Sequence, residues 1–465
     1  MTIPYWVQDA IFYQIFPDRF ANGDVRNDPP NVDAWGSKPT IWNFMGGDLR
    51  GVIQKFDYLL DLGVTAIYFN PIFQATSNHR YNISDYYRID PKLGDMDDFR
   101  ALLEVAHRND VRVILDGVFN HCGRGFFAFN DVLENREHSP YRDWFHIKGF
   151  PLYAYNAGKE PNYKTWWQFR SLPKFNTDHP AVRNFIFGVA QYWIAQGADG
   201  WRLDVPNEID DDTFWAEFRH VVKSTNREAY LLGEIWDRDP RWVGEHHFDG
   251  LMNYPVRDAL LRFLRGEDKA RDFAEQVEGL LDDYPREHVH AMFVPLGSHD
   301  TERLITMLED DIAKVKMAFA FQFAYPGAPA VYYGDEIGIP GGKDPDCRRA
   351  FPWDRDEQDE ALRAWVKRLI SLRKRLVSLR RGDYHRVFLD SKGRAYAFGR
   401  TLGDEAVLVV LNAGGSRRFL RLPVKALGWR DGRIVRDLLG VEEYIVSGDE
   451  VVVTLDPWSS AWLGE

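Results

Sequence analysis

Three short apolar runs in this chain each stop at a carboxylate: GWRLD (200–204), LLGE (231–234) and GSHD (297–300) end on Asp204, Glu234 and Asp300. A carboxylate that closes a buried strand either reaches a solvated site at the strand tip or pays heavily for desolvation. Three of them on one face of a sheet suit a reaction in which carboxyl groups hold different protonation states, one as nucleophile or base and another as acid. More polar residues stand at or just past such runs: Asp116, Asn120 and His121 after VRVIL, Arg202 two residues before Asp204, and His299 beside Asp300. A loop cap or an internal ion pair would explain any one of these. Eight of them converging on one end of a sheet point to a site. Arg202 shares a strand face with Asp204, so its guanidinium would favour an ionised Asp204. Asp204 and Asp300 near Glu234 would raise its proton affinity by like-charge repulsion.

The elements that must position these residues recur eight times. IFYQIF (11–16), AIYFN (66–70), VRVILDGV (111–118), DGWRLD (199–204), YLLGEI (230–235), FDGLM (248–252), MFVPLG (292–297) and PAVYY (329–333) are short, apolar and rich in β-branched or aromatic residues, as buried parallel strands are. Amphipathic stretches at 94–110, 181–197, 211–225 and 256–264 lie between them. The first has Asp in its opening turn and His107 and Arg108 in its last. The pattern predicts an α/β chain folded as a (β/α)₈ barrel over 1–120 and 181–384, whose active face is the carboxyl end of the strands. Residues 121–180, irregular and aromatic, with YAYN and KTWWQF, read as a subdomain inserted after the third strand. Residues 385–465 read as antiparallel strands, VFLDSKGRAYAFGR, EAVLVVLNA, RRFLRLP, EVVVTL and SSAWLG, and predict a small β-sandwich.

Composition narrows the partners. The chain has 465 residues, 45% hydrophobic and 28% charged, enough for two or three domains with a large core. A net charge of −12 argues against nucleic acid or an anionic membrane and favours a neutral substrate. Aromatics are high at 15%, with 16 Trp and 21 Tyr; much of that must be core, and such rings also stack on the apolar faces of sugars. Cys122 and Cys347 lack metal or CxxC spacing and read as free thiols in a reducing compartment. The N-terminus has neither a basic segment nor a long apolar core, and no stretch is long enough to span a membrane, so a cytoplasmic protein is expected. No P-loop, HExxH, nucleophile elbow or helix-opening GxGxxG is present.

DGVFNH (116–121), GWRLDVPNE (200–208), EIW (234–236) and GSHD (297–300), with GGDLRG (46–51) and YYGDE (332–336), stand in the order and spacing of the α-amylase family, glycoside hydrolase family 13. LPKFN (172–176) and SNHRYNISDYY (77–87) resemble segments of its cyclomaltodextrinase, neopullulanase and maltogenic amylase group. Pro206 replaces a usual Ala, Asp237 a usual His and Asn82 a usual Asp. Many of that group carry a further β-domain before the barrel; here the first strand starts too near Met1 to leave room for it, so a homodimer, if formed, would use another interface.

The resemblance implies a retaining hydrolase of α-1,4-glucosidic bonds in cyclomaltodextrins and malto-oligosaccharides, with pullulan, starch and glycosyl transfer as further possibilities. Asp204 would be the nucleophile, Glu234 the acid/base and Asp300 the third carboxylate. Tyr81 would stack beneath the sugar, His121 and His299 would bond its hydroxyls, Arg202, Asp116 and Asn120 would support the geometry, and Glu208 and Trp236 would face the leaving group. An α-glucosidase or transferase of the same family is the alternative reading; a silent sugar-binding barrel is the non-enzymatic one. NGDVRND (22–28) offers Asn22, Asp24, Asn27 and Asp28 as hard oxygen ligands, although an Asx-rich turn would use the same residues. In related enzymes the Gly46 carbonyl and Asp48 complete a Ca²⁺ site, which implies a structural ion and no metal in the chemical step.

Overall fold

The computed structural model describes residues 3–156 and 158–465. Eight strands, β1 (Phe12–Ile15), β2 (Ala66–Phe69), β3 (Arg112–Gly117), β4 (Gly200–Leu203), β5 (Tyr230–Gly233), β6 (Gly250–Leu251), β7 (Phe293–Pro295) and β8 (Ala328–Tyr332), form one sheet in the order β6-β5-β4-β3-β2-β1-β8-β7. Every neighbouring pair is parallel. A bridge from Met252 to Phe293 joins the two ends, so the sheet closes into the expected (β/α)₈ barrel.

The period of two along each strand sorts the interior into layers. Phe12, Ala66, Ile114, Tyr230, Phe293 and Ala328 pack as one apolar cluster. One step further toward the carboxyl ends, the same faces carry Gln14, Tyr68, Asp116, Arg202 and Leu232, and then Asn70, Asp204 and Glu234. The barrel is therefore dry below and polar on top. β4 and β5 approach closely at Gly200, where a Cβ would lie 2.2 Å from the Tyr230 carbonyl oxygen.

Helices between the strands follow the apolar periodicity. Met96–Arg108 begins at an Asp95 cap whose side chain accepts from the backbone of Asp97 and Asp98. Pro180–Ala195 and Asp212–Thr225 flank β4, and Ile312–Ala324 precedes β8. The β5–β6 connection departs from the alternation: it holds only the 3₁₀ turn Pro240–Trp242, because the segment WDRDPRWVGEHH has no apolar period and a proline in its middle. Between β2 and β3 an antiparallel pair, Phe73–Ala75 with Ile83–Ile89, also escaped the sequence pattern. Among the described residues the insertion after β3 holds one α-helix, Phe127–Asn135, and three 3₁₀ turns, over a buried aromatic cluster that includes Phe126, Phe129, Phe145 and Phe175.

Eight further strands follow: β9 (Asp383–Leu389), β10 (Ala395–Leu402), β11 (Glu405–Asn412), β12 (Arg418–Pro423), β13 (Ile434–Asp437), β14 (Glu443–Ile445), β15 (Glu450–Leu455) and β16 (Ser459–Gly464). They make an antiparallel six-stranded sheet, β9-β10-β11-β16-β13-β14, and a two-stranded one, β12-β15. One face of β10 and β11 (Ala397, Leu408, Val410) packs on β12 and β15. The other (Tyr396, Phe398, Val409) joins the core of the barrel helices. Arg400, fully buried, donates to the carbonyls of Ala324 and Gly382 at 2.6 and 3.0 Å, closing the end of helix Ile312–Ala324.

Candidate active site

The polar layer meets at one guanidinium. Arg202, fully buried on β4, places Nη1 2.9 Å from both Asp116 Oδ1 and Asp204 Oδ1, and Nη2 2.6 Å from Glu234 Oε1. The register explains the meeting: Asp116 pairs with Arg202 across β3–β4, and Arg202 with Leu232, two residues before Glu234, across β4–β5. Glu234 Oε2 accepts from the Val205 backbone at 2.9 Å. To present that N–H, Val205 takes a left-handed conformation (φ 36°, ψ 52°), which a β-branched residue adopts only under strain.

Sequence reasoning gave Arg202 to Asp204; the structure shares it with Glu234, by the shorter contact. Burial raises the pKa of both Asp204 and Glu234, and Arg202 opposes the rise at both. Glu234 and Asp116 raise Asp204 further, and Asp300 raises Glu234. Asp204 and Glu234 are thus pushed in the same direction by burial and held back by the same cation.

Asp300 behaves differently, with a third of its side chain open to solvent. Burial of its surroundings pushes its pKa up, but His299 (Nε2–Oδ2 2.9 Å) and Arg348 (Nη2–Oδ1 3.2 Å) outweigh that and hold it well below the usual carboxylate range. Gln14 offers its amide nitrogen to His299 Nδ1 at 2.9 Å, which leaves the His299 proton on Nε2, facing Asp300 and the Tyr81 hydroxyl. Tyr81 donates to Asp116 Oδ2 at 2.8 Å, and its ring lies nearly parallel to that of His299, whose Nε2 its hydroxyl meets at 2.7 Å.

His121 is buried against Trp166, and Asn120 presents its amide nitrogen to Nδ1 at 3.2 Å, which puts the His121 proton on Nε2. Burial holds His121 down at about 3. The unfolded imidazole, with the ordinary value near 6.5, binds its proton first, so this group's contribution to stability is present above pH 6.5 and is lost as pH falls toward 3. His121→Asn is expected to flatten the fall of stability between pH 6.5 and 4 by up to about 1.4 kcal/mol per pH unit, read from denaturant midpoints of the two proteins. An unchanged slope would mean that His121 is charged in the fold.

Trp236, 43% exposed, stacks on Tyr254 and points Nε1 at Glu234 Oε1, 3.3 Å away. Glu208 pairs with Lys174 of LPKFN at 3.2 Å, tying the insertion to the loop after β4. Gln14, Tyr68, Asn70, His79 and Arg348 were missed by sequence reasoning. The first three had a visible signal, since each is a polar group at an inward position of an apolar strand run; His79 lies within the quoted segment SNHRYNISDYY but was not singled out, and Arg348, in the 3₁₀ turn Asp346–Arg348, had none.

The residues proposed for a cation divide. Asn22 reaches Asp28 at 2.9 Å, a Cβ on Gly46 would lie 2.3 Å from Asp28 Oδ1, and the amide oxygens of Asn22 and Asn27 are buried without partners. That set fits a hard cation, which would satisfy both orphaned oxygens. Asp48 instead caps helix Leu49–Gln54 and accepts from the backbone of Gly23, Asp24 and Gly51. Asp24 is turned to Arg26 and Arg50. Among the described residues no group of three or more His, Cys, Asp or Glu is placed to hold a metal.

Comparison with known proteins agrees with this geometry. The family described as "Alpha amylase, catalytic domain" matches residues 14–378, and "Maltogenic Amylase, C-terminal domain" matches 386–462. A cyclomaltodextrinase of Geobacillus thermopakistaniensis is 44% identical over 98% of this chain and 76% of its own length. Neopullulanase 2 of Thermoactinomyces vulgaris is 44% identical over 98% and 78%. The solved structure of the cyclic α-maltosyl-(1→6)-maltose hydrolase from Arthrobacter globiformis superposes over the full length of both chains with a TM-score of 0.92 at 39% identity. On sequence and structure alike, the chain belongs to the α-amylase family.

Proposed function

We propose that the protein is a retaining hydrolase of α-1,4-glucosidic bonds in cyclomaltodextrins and malto-oligosaccharides, with transfer to sugar acceptors as a side reaction. The observation that carries this reading is the single buried guanidinium that gathers Asp116, Asp204 and Glu234 at the ends of adjacent strands of an α-amylase family barrel. Retention needs two carboxyl groups about 5–5.5 Å apart, and side chains from neighbouring strands, about 4.8 Å apart, supply such a pair. In the productive state Glu234 is protonated and Asp204 is ionised. Asp204 then attacks the anomeric carbon as Glu234 protonates the departing glycosidic oxygen. Glu234 next takes a proton from water, which releases the glycosyl group from Asp204. The Nε2–H groups of His121 and His299 and the carboxylate of Asp300 hold hydroxyls of the ring being cleaved, Tyr81 lies against it, and Trp236 and Glu208 meet the leaving group or an acceptor. Asp116 and Asn120 act through Arg202 and His121.

The named activities of the relatives, a cyclomaltodextrinase, a neopullulanase and a cyclic maltosyl-maltose hydrolase, support α-glucans, cyclic ones among them, as the substrate class. Initial rates on β-cyclodextrin, maltotriose, soluble starch and pullulan, with the Asp204→Asn protein as blank, test this. Cyclodextrin is expected to be cleaved faster than starch; the reverse order would remove the chain from the cyclomaltodextrinase group while leaving the chemistry in place.

We also propose a structural Ca²⁺ held by the amide oxygens of Asn22 and Asn27, Asp28 and the Gly46 carbonyl, with Asp48 in support. Its part is to fix the loop after β1, not to touch the sugar. A chelator is expected to lower the melting temperature by several degrees with turnover at 25 °C unchanged, and Asp28→Ala to abolish the Ca²⁺-dependent shift. No shift with chelator in the wild type would remove the ion. Both cysteines are free and buried, which supports a cytoplasmic location; no helix among the described residues is long and apolar enough to cross a membrane.

A further inference from the structure

The insertion carries an aromatic feature that the chemistry above does not use. Trp167 is 72% exposed, although its large apolar ring would ordinarily be covered. Its indole stacks on Trp166 (centroids 4.9 Å, 10°), and Trp166 stacks on His121 (5.4 Å, 19°). The three rings form a ladder from the buried site to the surface, with Phe169, 52% exposed, beside it. The backbone holds this arrangement at a cost: Trp167 (φ 42°) and Gln168 (φ 63°) both take left-handed conformations without being glycine. The tip is clipped to the site by bridges Thr165–Pro173 and His121–Lys174 and by Trp166 N–H donating to Leu172 O. The Trp166 Nε1–H is buried without an acceptor, a deficit that a ligand hydroxyl at the ring edge would relieve.

Resting on the α-glucan reading, we propose that Trp167, seated on Trp166, is a platform for a glucosyl unit remote from the scissile bond, and so sets the preference for long or cyclic chains over short ones. The exposed indole face matches the apolar face of a pyranose ring. The ladder places that face two ring steps from His121, toward solvent.

The test compares kcat/KM for maltoheptaose with that for maltotriose. In Trp167→Ala the ratio is expected to fall roughly tenfold, with most of it restored in Trp167→Phe. Phe419→Ala, an exposed aromatic on β12, should leave both rates as in the wild type. Maltoheptaose binding to the Asp204→Asn protein, followed calorimetrically, should weaken by a similar factor when Trp167→Ala is added. An unchanged ratio, or an equal loss on both substrates, would overturn the platform. So would a concentration-dependent self-association that only Trp167→Ala abolishes, because the ring would then be an interface between copies. Binding without turnover decides the platform separately from the hydrolase reading: that reading falls if the wild type cleaves neither glucan.

Discussion

Asp204→Asn is expected to lower kcat by about 10⁴-fold or more on every α-glucan, with the fold intact. The amide is isosteric with the carboxylate and still accepts from Arg202, so the polar layer keeps its shape. It cannot form the glycosyl ester. It also removes one of the three acids crowded on a single cation, and burial and repulsion already disfavour its charge. The melting temperature should therefore be unchanged or higher. Calorimetry and initial rates check both halves. Azide added to an Asp204→Ala protein should restore turnover as the β-glycosyl azide, because the small anion fills the space of the lost carboxylate and attacks the same face. Turnover by Asp204→Asn above one-hundredth of the wild type would remove Asp204 from the nucleophile position.

Arg202→Lys is the second large effect. Lysine keeps the charge but not the fork, and one ammonium cannot span Asp116, Asp204 and Glu234 in the geometry that two guanidinium nitrogens reach. Whichever carboxylate is abandoned is left buried, so stability should fall by about 3 kcal/mol. The rate should fall by about 10²–10³-fold, the scale seen when a placed charge-stabilising donor is removed. The acid and base limbs of the kcat/KM profile should also move, because Arg202 lowers the pKa of both Asp204 and Glu234. A purely structural Arg202 would change stability and leave the shape of that profile alone.

The sequence revealed the site as far as the period of two reaches. Asp116, Arg202, Asp204 and Glu234 close inward-facing positions of apolar runs, so their convergence followed from their being strands of one barrel. Which carboxylate owns Arg202 did not follow, because the Glu234 contact depends on the β4–β5 register, a cross-strand fact with no local signature. Gln14 was legible in principle: a glutamine inside IFYQIF has no apolar role, and it orients His299. The pair Phe73–Ala75 and Ile83–Ile89 was hidden because SNHRYN interrupts it and its register shifts twice. β6, only two residues long, was marked by the apolar run FDGLM around it and not by any alternation of its own. β13 and β14 were missed because IVRD and EYI are brief and half polar.

The central strands of the six-stranded sheet, β10 and β11, are buried on both faces, and Arg400 reaches from β10 into the end of helix Ile312–Ala324. It follows that the barrel and the C-terminal sheet are not interchangeable cassettes. Cutting the chain near residue 382 would bare Tyr396, Phe398 and Val409 on one piece and the outer side of the barrel helices on the other, leaving two sticky surfaces and a helix end with unmet carbonyls. Recombination between relatives should tolerate a crossover within the insertion better than one at the start of β9, unless helix Ile312–Ala324 travels with the sheet that packs on it.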